Sequence, residues 1–337
     1  MVILGFLLVF ILPFAVGIPV GMCTRKGSHS ASASASSDAD SASASVSPSV
    51  SASVSASASA TASASDSAVS PAPTGNDTAP VSPPTAIWQP PVGASWQIVL
   101  SEQVPIVDGK PTPNVDIYDM DLFDVEASTI SALHAAGKKV ICYFSAGSFE
   151  DWRPDAKDWD QGDLGADLKG WHGEKWVKTG SEKVRSIMAA RLKMAAEKGC
   201  DAVDPDNVDA YNNENGLGLT ESDASDYVKF LAQEAGKHNM GCGLKNAAAI
   251  VPNVSGSVQF SVVEQCAEYG ECGQYQGMIE AKKPVFSIEY PSQAGTEMPS
   301  DALAAQCNAD GSNGFSMVMK KMALDQWVEP CEPTFDA

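Results

Sequence analysis

The chain has 337 residues, 8 Cys and a formal charge of −20, from 22 Lys and Arg against 42 Asp and Glu. So acidic a balance disfavours nucleic acid as a partner and favours neutral or cationic ligands, although acidity for solubility alone is the plain alternative.

Residues 1–22 are almost wholly apolar, and Val2–Phe14 has the length of a signal-peptide core, with Ala15 and Gly17 suited to a cleavage site. The segment predicts export by a cleaved signal. Because Arg25 and Lys26 follow the apolar run and no base precedes it, an uncleaved anchor that tethers the chain to a membrane is the alternative. Residues 23–86 read as a linker, Ser/Ala alternation giving way to Ser, Thr and Pro, with too few large apolar side chains to fold. That composition predicts a disordered, O-glycosylated stalk, with an N-glycosylation sequon at Asn76-Asp77-Thr78, or else an unmodified linker.

Residues 87–337 carry 20 of the 22 bases and 38 of the 42 acids, a charge of −18, and are long enough for one large domain. Seven of the 8 Cys lie here; with no C-x-x-C pair, and in an exported chain, they predict disulfides rather than zinc, and Cys266 and Cys272 are close enough to staple a loop. Short β-branched runs predict strands at Trp96–Leu100, Val115–Asp119, Lys139–Ser145, Cys200–Asp206, Met240–Lys245, Val258–Glu264, Val285–Tyr290 and Gly314–Met319. Amphipathic stretches fall between them, most clearly Ser181–Lys198, with a Ser cap and Gly199 after it, and Glu221–His238, with Val228, Leu231, Ala232 and Ala235 on one face. Eight such units predict a (β/α)8 TIM barrel of α/β class, with an open doubly wound sheet as runner-up. No G-x-G-x-x-G or P-loop opens a helix, so no nucleotide cofactor is expected.

Barrel active sites lie at the C-terminal ends of the strands, and there the acids gather. Asp119 and Asp121 share one face of the second strand, Asp204 and Asp206 one face of the fourth, the fifth ends at Lys245, the sixth at Glu264, and the seventh at Glu289-Tyr290. Gathered carboxylates repel and cost desolvation, and two across a barrel mouth are the minimum apparatus for cutting a glycosidic bond. The plainer readings are a turn at Asp204–Asn207, a helix cap at Asp209, which is the preferred reading there, and a rim salt bridge between Glu264 and Lys245. None of the four His ends a strand, so a Ser-His-Asp triad and a His-rich metal site both lack their His, and Asp204, Asp206 and Asp209 lack the Gly and Glu of a calcium loop. No metal is expected. The third unit adds Tyr143, Ser145 and Gly147, then a long loop, Phe149–Thr179, with Trp152, Trp159, Trp171 and Trp176; most of these belong to a local core, and one or two suit a sugar face.

Together, Trp96-Gln97-Ile98, Asp116-Ile117-Tyr118 through Asp121-Leu122-Phe123, Val140–Gly147 with Glu150 and Arg153, Asp204–Asp209, Leu244-Lys245-Asn246, Glu264-Gln265-Cys266 and Glu289-Tyr290 carry a resemblance. Over about residues 95–330 the chain resembles the endo-α-1,4-polygalactosaminidases of glycoside hydrolase family 114. The resemblance implies a TIM barrel, endo-hydrolysis of α-1,4-linked galactosamine in galactosaminogalactan-type polymers, and a catalytic pair at Asp206 and Glu264. Asp206 is then the nucleophile and Glu264 the acid and base of a retaining reaction, with the pKa of Glu264 raised by burial and neighbouring acids. Asp121, Asp204 and Glu289 are expected to hold the protonated amines of a cationic polysaccharide, with Tyr143, Asn207, Lys245 and Tyr290 also contacting it. Pro205 departs from the apolar residue expected there. The rival functions are a non-catalytic carbohydrate-binding barrel, a structural cell-wall glycoprotein and an α-glycosidase of other specificity. A monomer is the default expectation.

Overall fold

A computed structural model describes residues 87–331, so the signal or anchor segment, the stalk and the Asn76 sequon lie outside the described residues. Eight parallel strands follow one another around a curled sheet in chain order: β1 Trp96–Val99, β2 Ile117–Asp121, β3 Lys139–Ser145, β4 Ala202–Asp206, β5 Gly241–Lys245, β6 Phe260–Glu264, β7 Val285–Glu289 and β8 Ser316–Met319. A ninth, two-residue strand, Glu329–Pro330, pairs antiparallel with β8. The two ends of the sheet meet through other contacts: Trp96 Nε1 donates to the carbonyl of Ser316 at 2.8 Å, and Leu100 N to that of Leu324 at 2.9 Å. This is the expected barrel, with two differences: a hairpin of Ile106–Val107 and Lys110–Pro111 stands in place of a helix between β1 and β2, and among the described residues no helix follows β8.

The strands are apolar on both faces because helices cover one side and the barrel interior the other. In β3, Val140, Cys142 and Phe144 join the outer core with Ile130 and Leu133 of α1 (Ala127–Ala135) and Val184, Met188 and Leu192 of α2 (Glu182–Lys198), while Ile141 packs inside with Trp96, Ile117, Phe260 and Phe286. Helix α2 starts where the Ser181 side chain accepts from Lys183 N and stops at Gly199, whose φ of +97° a side chain would oppose. Helix α3 (Glu221–Lys237) starts in a capping box between Thr220 and Asp223 and buries Val228, Leu231, Ala232 and Ala235.

The stretch expected as the loop Phe149–Thr179 has structure of its own, a three-stranded antiparallel sheet of Ser148–Glu150, Glu174–Val177 and Leu164–Asp167. Trp159 and Trp176 are buried, while Trp152 and Trp171 stay about half exposed, so this segment has the local core that a long insertion needs. The expected Cys266–Cys272 staple is joined by Cys142–Cys200 and Cys307–Cys331, leaving Cys242 free and buried among the described residues.

The Cys142–Cys200 bridge ties β3 to the end of α2 across a separation of 58 residues, where closing the loop in advance removes unfolded-state entropy. Replacing both with Ala is expected to lower the unfolding free energy by about 4 kcal/mol in urea titration; a loss well under about 1 kcal/mol would contradict that role for the bridge.

Candidate active site

The C-terminal ends of the strands open into a cleft of about 930 Å³. Of the residues expected at the site, Asp121, Tyr143, Asp206, Asn207, Lys245, Glu264 and Tyr290 line it. Three strand ends carry its centre, and each is followed by a residue in the left-handed region: Asn207 after β4 (φ 60°), Asn246 and Ala247 after β5 (48° and 59°), and Gln265 after β6 (58°). Such sharp exits are uncommon for residues other than Gly, and here they turn the chain away so that Asp206, Lys245 and Glu264 project into the mouth. The carbonyl of Asp206 accepts from the backbone N–H groups of Ala146 and Gly147, and a Cβ on Gly147 would fall 1.6 Å from the carbonyl oxygen of Asn207. Only Gly fits that approach. Pro205, the departure from the expected pattern, is buried beside Phe144 in the β3–β4 ladder; the β4–β5 ladder has already ended at Val203 and Cys242, so its missing N–H breaks no bond there.

Lys245, buried to 3% exposure, holds the centre together. Its Nζ lies 3.1 Å from Asp206 Oδ1 and 3.1 Å from Glu264 Oε2. Burial acts to lower its pKa, but Asp206, Glu264 and Asp204 outweigh it and hold the ammonium charged. Asp206 also accepts from Tyr143 OH (2.8 Å) and from Asn207 N (2.7 Å). Glu264 accepts from Tyr290 OH (2.5 Å) and Asn246 Nδ2 (3.3 Å), and Asn246 Oδ1 in turn accepts from Glu264 N. The rim salt bridge considered for Glu264 thus exists, shared with Asp206. It also corrects the expected pKa of Glu264: burial raises it, but Lys245, Tyr290 and Asn246 together bring it below the ordinary 4.5.

Of the three acids expected to hold amines, Asp121 lines the cleft and Asp204 and Glu289 do not. Asp121 is gripped by Arg153, whose Nη1 and Nη2 lie 3.0 and 2.6 Å from its two oxygens, and Arg153 also bonds Glu150. Asp204 is fully buried within the barrel, outside the cleft lining, with neither carboxylate oxygen hydrogen-bonded. Glu289 points to the outer side of β7, where it accepts from the N–H groups of Ala267 and Glu268 at the start of the short helix Cys266–Tyr269. Phe286 and Ile288 face inward and Tyr290 reaches the cleft, so strand parity sends Glu289 the other way. Asp209 is corrected as well. It stands at the start of the turn Ala210–Asn212 but its side chain caps nothing, and it lines the cleft instead.

Sequence reasoning gave no role to four further cleft residues. Glu150, Arg153 and Asn246 stood among the resembling motifs without one, and Glu174 carried no signal because it lies in the insertion rather than at a strand end. Glu174 is 6% exposed, lines the cleft, and accepts from Ser148 Oγ at 2.5 Å; Ser148 in turn contacts Ser145, which accepts from Asn207 Nδ2. Burial, against the Ser148 hydrogen bond, pushes its pKa up to about 7.

A carboxyl group titrating near 7 when folded and near 4.5 when unfolded keeps its proton in the native state after the unfolded chain has released it. It therefore costs stability as pH rises from 4.5 to 7, on the order of 3 kcal/mol at the plateau. Glu174→Gln removes this cost. The variant is expected to gain melting temperature over the parent at about pH 8 and to gain nothing at about pH 4, read by thermal unfolding; a difference that does not change with pH would contradict the assignment.

The family model of glycoside-hydrolase family GH114 matches residues 77–335. Among solved structures, Ega3 of Aspergillus fumigatus in complex with galactosamine is 50% identical with a TM-score of 0.69, and the alignment covers 73% of this chain and 98% of that one. The glycoside hydrolase domain of PelA from Pseudomonas aeruginosa shares the fold at 14% identity, with a TM-score of 0.52 over 68% of this chain and 96% of its own. A comparison with curated protein sequences found no match. Carried by a family match over most of its length, the chain belongs to glycoside hydrolase family GH114.

Proposed function

We propose that this glycoside hydrolase is an endo-acting, retaining enzyme that cleaves α-1,4-linked galactosamine in galactosaminogalactan-type polysaccharide, with Asp206 as nucleophile and Glu264 as acid and base. The observation that carries the reaction class is the shared ammonium of Lys245. With Asp206 Oδ1 and Glu264 Oε2 each 3.1 Å from Nζ, the two oxygens are separated by at most twice that distance. That limit on the two nearest oxygens admits the roughly 5–5.5 Å carboxyl separation of a retaining enzyme, and it supports the retaining reading. The substrate class rests on the galactosamine bound to Ega3 at 50% identity.

In this reading Glu264 gives its proton to the glycosidic oxygen as an Asp206 oxygen bonds the anomeric carbon. The C–O bond breaks, and the leaving oligosaccharide keeps the proton as its new hydroxyl. Glu264, now a carboxylate, takes a proton from a water whose oxygen attacks the same carbon and frees Asp206. Tyr143 and Lys245 support the charge that returns to Asp206 in that second step. Because Glu264 sits below the ordinary carboxylate value in the free enzyme, the proton donor is the minority form at neutral pH, which ties the activity to acidic conditions.

Three disulfides support an exported protein working outside the cytosol. Among the described residues no helix is long and apolar enough to cross a membrane, so a tether, if there is one, belongs to residues 1–22. We take the acting unit to be a monomer.

The test is mass spectrometry of products after incubation with partly deacetylated α-1,4-galactosaminogalactan, chitosan and an α-galactan. Galactosamine oligomers are expected from the first polymer alone, with Asp206→Asn and Glu264→Gln each losing at least about a thousandfold in turnover while keeping the parent's circular dichroism. Binding without products would favour the non-catalytic barrel, and near-parental turnover in either variant would remove that residue from the pair.

A further inference from the structure

A protonated amine is best held by a sheltered carboxylate that has no other counter-ion, and most acids of the cleft already have one. Asp121 and Glu150 are taken by Arg153, and Asp206 and Glu264 by Lys245. The outlying, exposed Asp167 and Glu214 pair with surface lysines. Among the described residues lining the cleft, two sheltered carboxylates have no cationic partner. Glu174 has one oxygen on the Ser148 hydroxyl and none on a cation, and Asp209, half-buried three residues beyond Asp206, has no cationic side chain in contact.

We propose that Glu174 and Asp209 are the specificity residues that distinguish the free amine from its acetylated form, each receiving the ammonium group of a galactosamine unit bound in the cleft. The inference rests on the amino-sugar reading above and names the groups that would read the amine. It takes over the role expected of Asp121, Asp204 and Glu289, since Arg153 holds Asp121, Asp204 is buried outside the cleft lining, and Glu289 points to the outer side of β7. Burial, with neighbouring acids, lifts Glu174 to about 7 and Asp209 to about 6, although the more distant Arg153 and Lys245 act the other way. An arriving ammonium supplies the missing counter-charge, so the bound carboxyl gives its proton to solvent and becomes one half of an ion pair. An acetamido group carries no charge to offer. It would leave the same two acids desolvated without a cationic partner, and that penalty is the basis of discrimination.

The competing role for Glu174 is structural, since the chain Glu174–Ser148–Ser145–Asn207 leads to the turn that carries Asp206. Calorimetric binding of galactosamine and of N-acetylgalactosamine, which offer no glycosidic bond to cleave, to the full chain at about pH 7 separates the two. The parent is expected to prefer the free amine. Glu174→Gln and Asp209→Asn are each expected to lose about tenfold in affinity for it, with affinity for the acetylated ligand unchanged, and Glu174→Asp is expected to recover part of the loss. Equal losses for the two ligands, or an undiminished preference in both variants, would overturn the assignment while leaving the amino-sugar reading in place. A parent that binds neither ligand would overturn both.

Discussion

The ammonium of Lys245, set between Asp206 and Glu264, is the contact on which the rest of the site depends. Two carboxylates within reach of one ammonium, in a sheltered cleft, would without it repel and drive one of the pair to keep its proton. One cation placed at equal distance from both lets them stand together, and the barrel delivers it from the strand that runs between theirs: β5 carries Lys245, flanked by β4 with Asp206 and β6 with Glu264. The left-handed exits after those three strands, and the bare Gly147 against the Asn207 carbonyl, are the backbone conditions for holding this arrangement.

Deeper in the barrel the same electrostatics act without a partner. Asp119 and Asp204 face the interior with all four carboxylate oxygens free of hydrogen bonds among the described residues. Burial first, and then the neighbouring acids, raise both, Asp204 to about 7. Both therefore keep protons into a range where exposed acids have lost theirs. The groups of this barrel are thus graded with depth: acids with raised pKa inside, a cation above them, the two carboxyl groups that share it at the mouth, and the less committed acids along the cleft wall.

Much of this was legible in the sequence where one physical rule dominated. Buried parallel strands are apolar runs, and Lys139–Ser145 was read to its last residue, as were the start of α3 and the cap of α2. The reading slipped where polar residues occupy an interior: β2 extends to Asp121, two residues past the expected end, because the barrel takes Asp119 and Asp121 inside, where a strand is expected to avoid acids. For Glu289 the information was present in strand parity. Depth was not readable, and depth separates Asp204 from Asp206 although both face the same way. Nor was Glu174 readable, since its place on the cleft wall comes from an antiparallel insertion whose registry no local pattern announces.

A retaining reaction by Asp206 and Glu264 is tested most directly by the configuration of the first product. Proton NMR of the anomeric signals, taken before mutarotation, should show newly formed reducing ends in the α configuration of the substrate linkage. Reducing ends that appear first as β would mean a single displacement by water, and would contradict both the nucleophile assigned to Asp206 and the reading of the Lys245 clamp as the spacing device of a retaining site.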